Sequence, residues 1–166
     1  MRKKVIYLLI ALCLPAVIFI FLKYFGENQF DIPVYYQDGI QSSQPCGLTT
    51  STNPYTVPDS VMEIFQTNRA SAVLITFEKS LEAKRQINRI IKETNSNDLA
   101  VVDLSEKISS DSVKISAIKN CFLLMEEPWT TALVDDQNRI RGYYAPASLE
   151  EADRLLVELK ILLKKY

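Results

Sequence analysis

Cysteine is the residue type of this sequence with the broadest chemistry, and it stands at three positions, Cys13, Cys46 and Cys121. Cys13 lies within an apolar N-terminal run, so Cys46 and Cys121 are the thiols that could react with each other or with a substrate. In an oxidising compartment such a pair favours a disulfide. The alternative is that Cys121 is a small buried side chain and Cys46 an unpaired loop thiol. The sequence therefore predicts a candidate disulfide between Cys46 and Cys121, with that alternative left open.

Histidine is absent from the chain. A serine or cysteine nucleophile activated by an imidazole base is therefore excluded, and a metal site loses its commonest ligand. The four glycines are scattered and form no phosphate-binding loop; they stand at Gly26, Gly39, Gly47 and Gly142. The sequence predicts no catalytic residue, no cofactor and no metal site.

A few polar and aromatic residues are weaker candidates for function. The acidic pairs at 126–127 and 135–136 are interpreted as solvated loop and turn residues, not as a catalytic pair of carboxylates. Trp129 is predicted to lie in the core or at its edge. Tyr143 and Tyr144 are neighbours in a predicted strand, so one is expected to be buried and the other exposed.

Runs of β-branched and apolar residues predict two buried strands, at 72–77 and 99–104, joined by an amphipathic helix at 78–92. Two strands joined by a helix are expected to be parallel, with a right-handed crossover. A second helix is predicted at 111–125. These elements would position Cys121 on an apolar helix face.

The C-terminal part of the chain predicts a β-hairpin followed by a helix. The hairpin covers 131–144, and Asn138 suits the left-handed position of its turn. From Leu149 onward apolar residues recur at helical spacing, and Ser148 with Glu151 is typical of a capping box. The order β, α, β, α, β-hairpin, α is typical of a thioredoxin-like three-layer α/β sandwich with a mixed sheet.

The N-terminal run at 5–22 carries no charge and, at about 1.5 Å per residue, would span about 27 Å, enough to cross a hydrocarbon core. It is interpreted as one transmembrane helix that anchors the chain, with a cleaved signal peptide as the alternative. The preceding Arg2, Lys3 and Lys4 favour a cytoplasmic N-terminus. The sequence thus predicts a single-pass protein of the cell membrane, whose domain lies in the periplasm or another extracytoplasmic space.

Three regions are predicted. Residues 1–23 form the cytoplasmic tip and the anchor, and 60–166 form one folded domain. Residues 24–59 are rich in proline, glycine and small polar residues without a sustained period, which is typical of an irregular tether or lead-in. Because 19 basic residues nearly balance 20 acidic ones, nucleic acid is not predicted as a partner.

Two segments of the chain resemble the Sco/SenC family. They are residues 133–144 (LVDDQNRIRGYY) with the terminal helix around 151–156, and residues 55–59 (YTVPD) ahead of the first strand. The layout of an anchor before an external domain is also similar to that family. The resemblance implies a domain that binds copper and handles thiols during the assembly of cytochrome c oxidase, through a Cys-x-x-x-Cys motif after the first strand and a distant histidine.

The residues for that chemistry are absent here. Where the family has its two cysteines, this chain has residues 78–85 (EKSLEAKR), and where the family has its histidine, it has Pro128, Trp129 and Thr130. A copper site of two thiolates and an imidazole cannot be assembled from these residues.

The sequence therefore predicts a membrane-anchored, extracytoplasmic protein with a degenerate active site. We expect it to act as a binding or accessory protein for a protein partner, and the resemblance implies a setting in the assembly of a respiratory oxidase. The alternative function is that of a thiol-disulfide oxidoreductase that uses Cys46 and Cys121. Reactive thiols usually lie at a helix N-terminus or beside a cation, which neither position predicts.

Overall fold

The computed structural model of the chain describes residues 2–25, 31–40, 46, 53–65, 70–105 and 112–164. Its contacts divide the chain into two compact units, Met1–Phe30 and Asp31–Tyr166. The first unit contains helix α1 (Arg2–Phe25), with Pro15 inside it. All the other elements belong to the second unit.

The prediction of a transmembrane anchor is wrong. Within the part of the chain that the structure describes, no helix combines the length and the apolar character that a membrane crossing requires. The predicted single span in the cell membrane, on which the predicted cytoplasmic N-terminus and extracytoplasmic domain depend, is wrong for the same reason.

The second unit is built on a four-stranded mixed sheet. Its strands are β1 (Ala72–Thr76), β2 (Leu99–Asp103), β3 (Thr131–Asp135) and β4 (Ile140–Tyr144), in the spatial order β2-β1-β3-β4. β1 pairs parallel with β2 and antiparallel with β3, and β3 pairs antiparallel with β4. The α/β class and the mixed sheet are observed, and the predicted parallel pairing of the first two strands is confirmed.

The helices of this unit are α2 (Asp59–Ile64), α3 (Leu81–Thr94), α4 (Ser112–Ala117) and α5 (Leu149–Leu162). α4 continues as a π-helical turn over Ile118–Phe122. α3 begins later than predicted because the Ser80 side chain caps it, accepting a hydrogen bond from the Ala83 N–H at 3.5 Å. At α5 the predicted capping box is wrong: Ser148 makes no side-chain cap bond, and Glu151 pairs with Arg154 at 2.7 Å.

Apolar side chains cover both faces of the sheet, which gives three layers. On one face the sheet packs against α3 and α5 through a buried cluster. On the opposite face it packs against α2, the segment 115–125 and the segment 55–57. Alternation along β1 divides its side chains between them: Leu74 belongs to the first cluster, and Val73 and Ile75 belong to the second.

The described part of the predicted lead-in is integrated into this fold. Tyr55 and Val57 are each only 1% exposed. The Tyr35 N–H donates to the Ile140 carbonyl at 2.9 Å, and the Val57 N–H donates to the Asn138 carbonyl at 2.8 Å. The segments before α2 therefore supply core residues and cover the outer side of β4.

The β3–β4 hairpin agrees with prediction at its turn and differs in its burial. Asn138 has φ 59°, so its predicted left-handed conformation is confirmed. Tyr143 and Tyr144 are both buried, so the prediction that one is exposed is wrong. The Tyr35 ring packs edge-on against Tyr143 with centroids 5.1 Å apart, and the Arg154 guanidinium lies 4.5 Å from the ring centroid of Tyr144.

Candidate functional site at the Cys121 loop and the end of the sheet

The structure joins Cys46 and Cys121 in a disulfide. Their Cα atoms are 5.7 Å apart, which is within the usual range for this bond. Cys46 is exposed, and Cys121 is half-buried in the π-helical turn. Cys13, in the first unit, is exposed and unbonded. The two candidate residues of the sequence are therefore brought together, and the loop that follows Cys121 is fixed at its start.

A group of tyrosines holds the residues that follow Cys121. We call Tyr35, Tyr36, Tyr55 and Tyr143 the tyrosine cluster, because their rings contact one another at centroid distances of 5.1 to 6.3 Å. Its hydroxyls donate to three successive backbone carbonyls: Tyr55 to Phe122 at 2.7 Å, Tyr143 to Leu123 at 2.6 Å and Tyr36 to Leu124 at 3.3 Å. Segments that are distant in sequence thus fix one short loop.

These bonds stabilise a backbone conformation that is unfavourable by itself. Leu124 has φ 51°, and a left-handed conformation costs a residue other than glycine about 1 to 3 kcal/mol. Leu123, Leu124 and Met125 are all buried, and the Leu123 N–H donates to the Ile118 carbonyl at 2.9 Å. Side-chain burial and the tyrosine hydroxyls together hold the loop in place.

Burial keeps the tyrosine hydroxyls protonated. Desolvation raises the pKa of Tyr55 to about 12, and the nearby Tyr36 adds to the effect. Burial also raises the pKa of Tyr143 well above its usual range, again with a contribution from Tyr36. Because the protonated hydroxyl is the form that donates, the bonds to residues 122 and 123 persist throughout the neutral pH range.

The loop then runs past the predicted acidic pair to β3. Glu126 and Glu127 are exposed, so their predicted solvation is confirmed. Lys119 pairs with Glu127 at 2.8 Å, and the Trp129 N–H donates to the Glu126 carbonyl at 3.0 Å. Trp129 is half-buried and packs against the core, which confirms its predicted place at the core edge.

Glu78 links the segment after β1 to the segment before β3. One of its carboxylate oxygens accepts from the Thr130 hydroxyl at 3.0 Å, and the other accepts from the Ser80 N–H at 2.9 Å. Beside them, the Thr131 hydroxyl donates to the Thr76 hydroxyl at 3.0 Å. These are the segments in which the resemblance places two cysteines and a histidine. The structure brings these segments together through hydrogen bonds of a carboxylate and of hydroxyls.

Exposed apolar side chains lie at the same end of the sheet as this junction. β1 and β4 are both antiparallel to β3, so α3 and α5, which follow them, begin at the end of the sheet where β3 begins. Leu81 and Leu149, in the first turns of these helices, are 66% and 58% exposed. Pro128 is exposed and Trp129 half-buried at the same end. We call Leu81, Pro128, Trp129 and Leu149 the sheet-end surface.

Arg154 connects this surface with the core. Its guanidinium lies 5.9 Å from the ring centroid of Trp129 and 4.5 Å from that of Tyr144. It pairs with Glu151 at 2.7 Å and with Glu158 at 3.4 Å. Although burial lowers it, the pKa of Arg154 is raised overall by these two carboxylates. The charge is thus neutralised within the protein, and the guanidinium serves to position the aromatic rings.

The second predicted acidic pair is divided between the interior and the surface. Asp136 is exposed, whereas Asp135 is 2% exposed, so the predicted solvation is wrong for Asp135. Asp135 accepts from the Arg139 side chain at 2.8 Å and from that of Arg141 at 3.3 Å. A cleft of about 320 Å³ beside it is lined by charges of both signs, including Asp98, Arg139 and Lys164. Because Asp135 is bonded to the arginines, the cleft does not present it as an available carboxylate.

In the described ranges, no three cysteine or acidic side chains form a group that could hold a metal ion. Sequence reasoning missed Tyr36, Tyr55, Leu81 and Leu149. A leucine in the first turn of each amphipathic helix is the signal that could have indicated the exposed pair.

Comparison with known proteins adds no relative: no family model, no curated protein and no solved structure matches this chain. The prediction that the fold is thioredoxin-like therefore has no support. The resemblance to the Sco/SenC family stays a prediction.

Proposed function

We propose that the unit Asp31–Tyr166 is an accessory protein that binds a polypeptide partner through the sheet-end surface. The observation that carries this function is the exposure of Leu81 and Leu149, 66% and 58%, at the end of the sheet that also holds Pro128 and Trp129. Apolar side chains grouped at one exposed site mark interaction surfaces, and tryptophan is enriched among the residues that contribute most to binding. The resemblance to the Sco/SenC family adds oxidase assembly as a setting for this role.

The surface is held in its binding geometry before any partner arrives. The hydrogen bond between Thr130 and Glu78, at 3.0 Å, ties its two loops together. The tyrosine cluster fixes residues 122–124, and the disulfide fixes Cys121 at the start of the same loop. A preorganised surface loses little conformational entropy on binding, which favours affinity.

The charges around the surface indicate the chemistry of the partner. Glu126, Glu127 and Glu150 are exposed at this end, and Glu127 also pairs with Lys119 at 2.8 Å. Lys79 and Arg85 are exposed cations near Leu81, and Arg85 pairs with Glu82 at 3.4 Å. An acidic rim around an apolar centre complements a segment that carries an apolar anchor between basic residues. The proposed partner is therefore an apolar and basic polypeptide segment.

The test uses the full-length chain and two synthetic peptides. One alternates leucine with lysine, and its matched control has glutamate in place of each lysine. In NMR titrations we expect saturable shifts of the Trp129 indole and of the Leu81 and Leu149 methyl groups with the lysine peptide only. Leu81→Glu should weaken this binding at least about tenfold, because it places a charge in the apolar centre. Val157→Glu is the matched control, since Val157 is 56% exposed on α5 outside the surface.

Two results would contradict this function. One is equal binding of both peptides, which would show that the acidic rim does not select the partner. The other is an equal loss of binding in Leu81→Glu and Val157→Glu, which would place the contact elsewhere.

Thiol-disulfide exchange is the second candidate function, and the exposure of Cys46 in the bonded pair favours it. Exchange would release Cys121 as a thiolate at the C-terminal end of α4 and its π-helical turn. The helix dipole disfavours a negative charge there. The same disulfide in a fixed loop is explained by a structural role, so binding remains the function that the geometry supports best.

A further inference from the structure

The two edges of the sheet are unequally covered. At the outer edge of β4, the Tyr35 N–H donates to the Ile140 carbonyl at 2.9 Å, and Thr56 forms an antiparallel bridge with Arg139. At the other edge, β2 pairs with β1 alone, as far as the described residues extend. An edge strand presents a row of backbone donors and acceptors to any strand that approaches it.

The β4 edge carries further protection. The register shift between Leu133 and Val134 leaves Arg141 as an extra residue of β4. Its guanidinium pairs with Asp31 at 2.7 Å and also donates to the Ile32 carbonyl. A bulge and a charged side chain at the edge are means by which proteins prevent the addition of another strand.

β2 lacks the bulge, and its one charged residue, Asp103, stands at its last position. Its sequence, LAVVD, contains no proline and no lysine, and its register with β1 is unbroken. Leu99 and Val101 pack against one core cluster, and Ala100 and Val102 pack against the other, but all four are only partly buried. An added strand would cover an apolar row on each face of the sheet.

We propose that β2 pairs antiparallel with β2 of a second copy of this chain, which joins the two four-stranded sheets across a two-fold axis. Centred on Val101, this register sets Val101 opposite its own copy, Ala100 opposite Val102 and Leu99 opposite Asp103. No like charges are directly opposed, and the central pairs are apolar or β-branched. A two-fold contact is also closed, so association stops at the dimer.

The ends of β2 are compatible with this pairing. Asp103 forms an ion pair with Lys84 at 3.7 Å, so its charge is partly neutralised within its own subunit. Asp98, just before the strand, would stand opposite Leu104 of the second copy. A strand from another protein would have to carry apolar side chains on both of its faces to cover those of β2. A second copy of β2 carries them already.

Sedimentation velocity on the full-length chain tests the pairing through complementary charges. We expect the unmodified chain to shift from monomer to dimer as its concentration rises. Val101→Lys and Val101→Glu should each weaken dimerisation at least about tenfold, because like charges then meet at the axis. An equimolar mixture of the two variants should restore it, because opposite charges then meet. Val157→Lys, a matched change on exposed α5, should dimerise as the unmodified chain does.

A cross-link provides a second test that needs no charge in the strand. In a Cys13→Ser background, Val101→Cys sets two thiols opposite each other across the axis, with Cβ atoms about 4.5 to 5.5 Å apart. Mild oxidation should give a covalent dimer that a reductant reverses. A chain that stays monomeric at all concentrations, a mixture that does not recover association, or the absence of the covalent dimer would each overturn the pairing.

Discussion

Tyr55 lies where the segment before α2, the tyrosine cluster and the Cys121 loop meet. It is 1% exposed, and its hydroxyl donates to the Phe122 carbonyl at 2.7 Å. Burial disfavours the phenolate and raises the pKa of Tyr55 to about 12, with Tyr36 adding to the effect. A tyrosine in the unfolded chain has a pKa of about 10, so the folded protein holds this proton more tightly.

The stabilisation by the Tyr55 hydroxyl should be fully present below about pH 10 and should be lost as the pH rises through about 12. We expect Tyr55→Phe to lower the free energy of unfolding by about 0.5 to 1.5 kcal/mol at neutral pH, because one buried hydrogen bond is lost. Between pH 10 and 12 the variant should lose stability less steeply than the unmodified chain, because position 55 no longer releases a proton. Urea unfolding at a series of pH values measures both effects.

Tyr35→Phe is the matched control for this change. Tyr35 belongs to the same tyrosine cluster but is 37% exposed, so the variant should lose less stability at neutral pH than Tyr55→Phe. The contrary result is a free energy of unfolding of Tyr55→Phe that falls between pH 10 and 12 as steeply as that of the unmodified chain. That result would show that Tyr55 does not titrate as its burial requires.

A residue whose conformation is set by its neighbours in the chain could be predicted from the sequence. Asn138 is the clear case, because its left-handed turn position is local. Asp135 and Tyr144 could not be predicted in the same way. Asp135 is buried against Arg139, which precedes β4, and Arg141 of β4, and Tyr144 is covered by Arg154 of α5. Their burial depends on partners that the local pattern does not identify.

At the scale of elements, α3 and α5 are each preceded by a serine, and only one of the two acts as a cap. The Ser80 hydroxyl accepts from the Ala83 N–H, whereas Ser148 makes no such bond. We expect Ser80→Ala to lower the free energy of unfolding by about 0.5 to 2 kcal/mol. Ser148→Ala should change it by less than about 0.5 kcal/mol. The two variants are a matched pair, and urea unfolding of both decides the question; equal losses would contradict the difference in capping.

The periodicity of apolar residues was sufficient to predict the four strands, α3 and α5, because the buried apolar side chains of each element recur at a regular spacing. It was not sufficient for the region around Cys121. The predicted helix at 111–125 ends early, in a π-helical turn, and continues into the left-handed Leu124. This geometry is held by the disulfide and by tyrosine hydroxyls from other segments, which no local pattern contains.

At the scale of the whole molecule, the disulfide joins residues separated by 75 positions. The chain-entropy relation gives a loop of this size a stabilisation of about 4 to 5 kcal/mol, against about 5 to 15 kcal/mol for a typical domain. We expect Cys46→Ser to lower the free energy of unfolding by roughly this amount. Urea unfolding under oxidising conditions measures the loss.

Two controls accompany this variant. Under reducing conditions its stability should equal that of the unmodified chain, and Cys13→Ser should leave the unfolding of the second unit unchanged. Non-reducing peptide mapping should yield a linked Cys46–Cys121 pair. Recovery of both residues as alkylatable thiols, or of a dimer linked through Cys46, would contradict the intramolecular bond.

The candidate site could be predicted only in part, because part of it depends on how distant elements come together in the fold. The two cysteines and the core-edge position of Trp129 could be predicted because residue type indicates them. The sheet-end surface depends on the directions of β1 and β4 relative to β3, which bring Leu81 and Leu149 to one end. Sequence patterns predict strands and helices better than they predict which ends of them meet.

Trp129 has a further consequence for how this protein can be observed. It is the only tryptophan of the chain, and it stands half-buried in the sheet-end surface, beside the Arg154 guanidinium. Selective excitation of tryptophan therefore probes this surface and no other part of the molecule. Light absorbed by the buried tyrosines on the adjoining core face can also pass to the same indole, so the emission of one ring reports both the integrity of the core and the occupancy of its exposed edge.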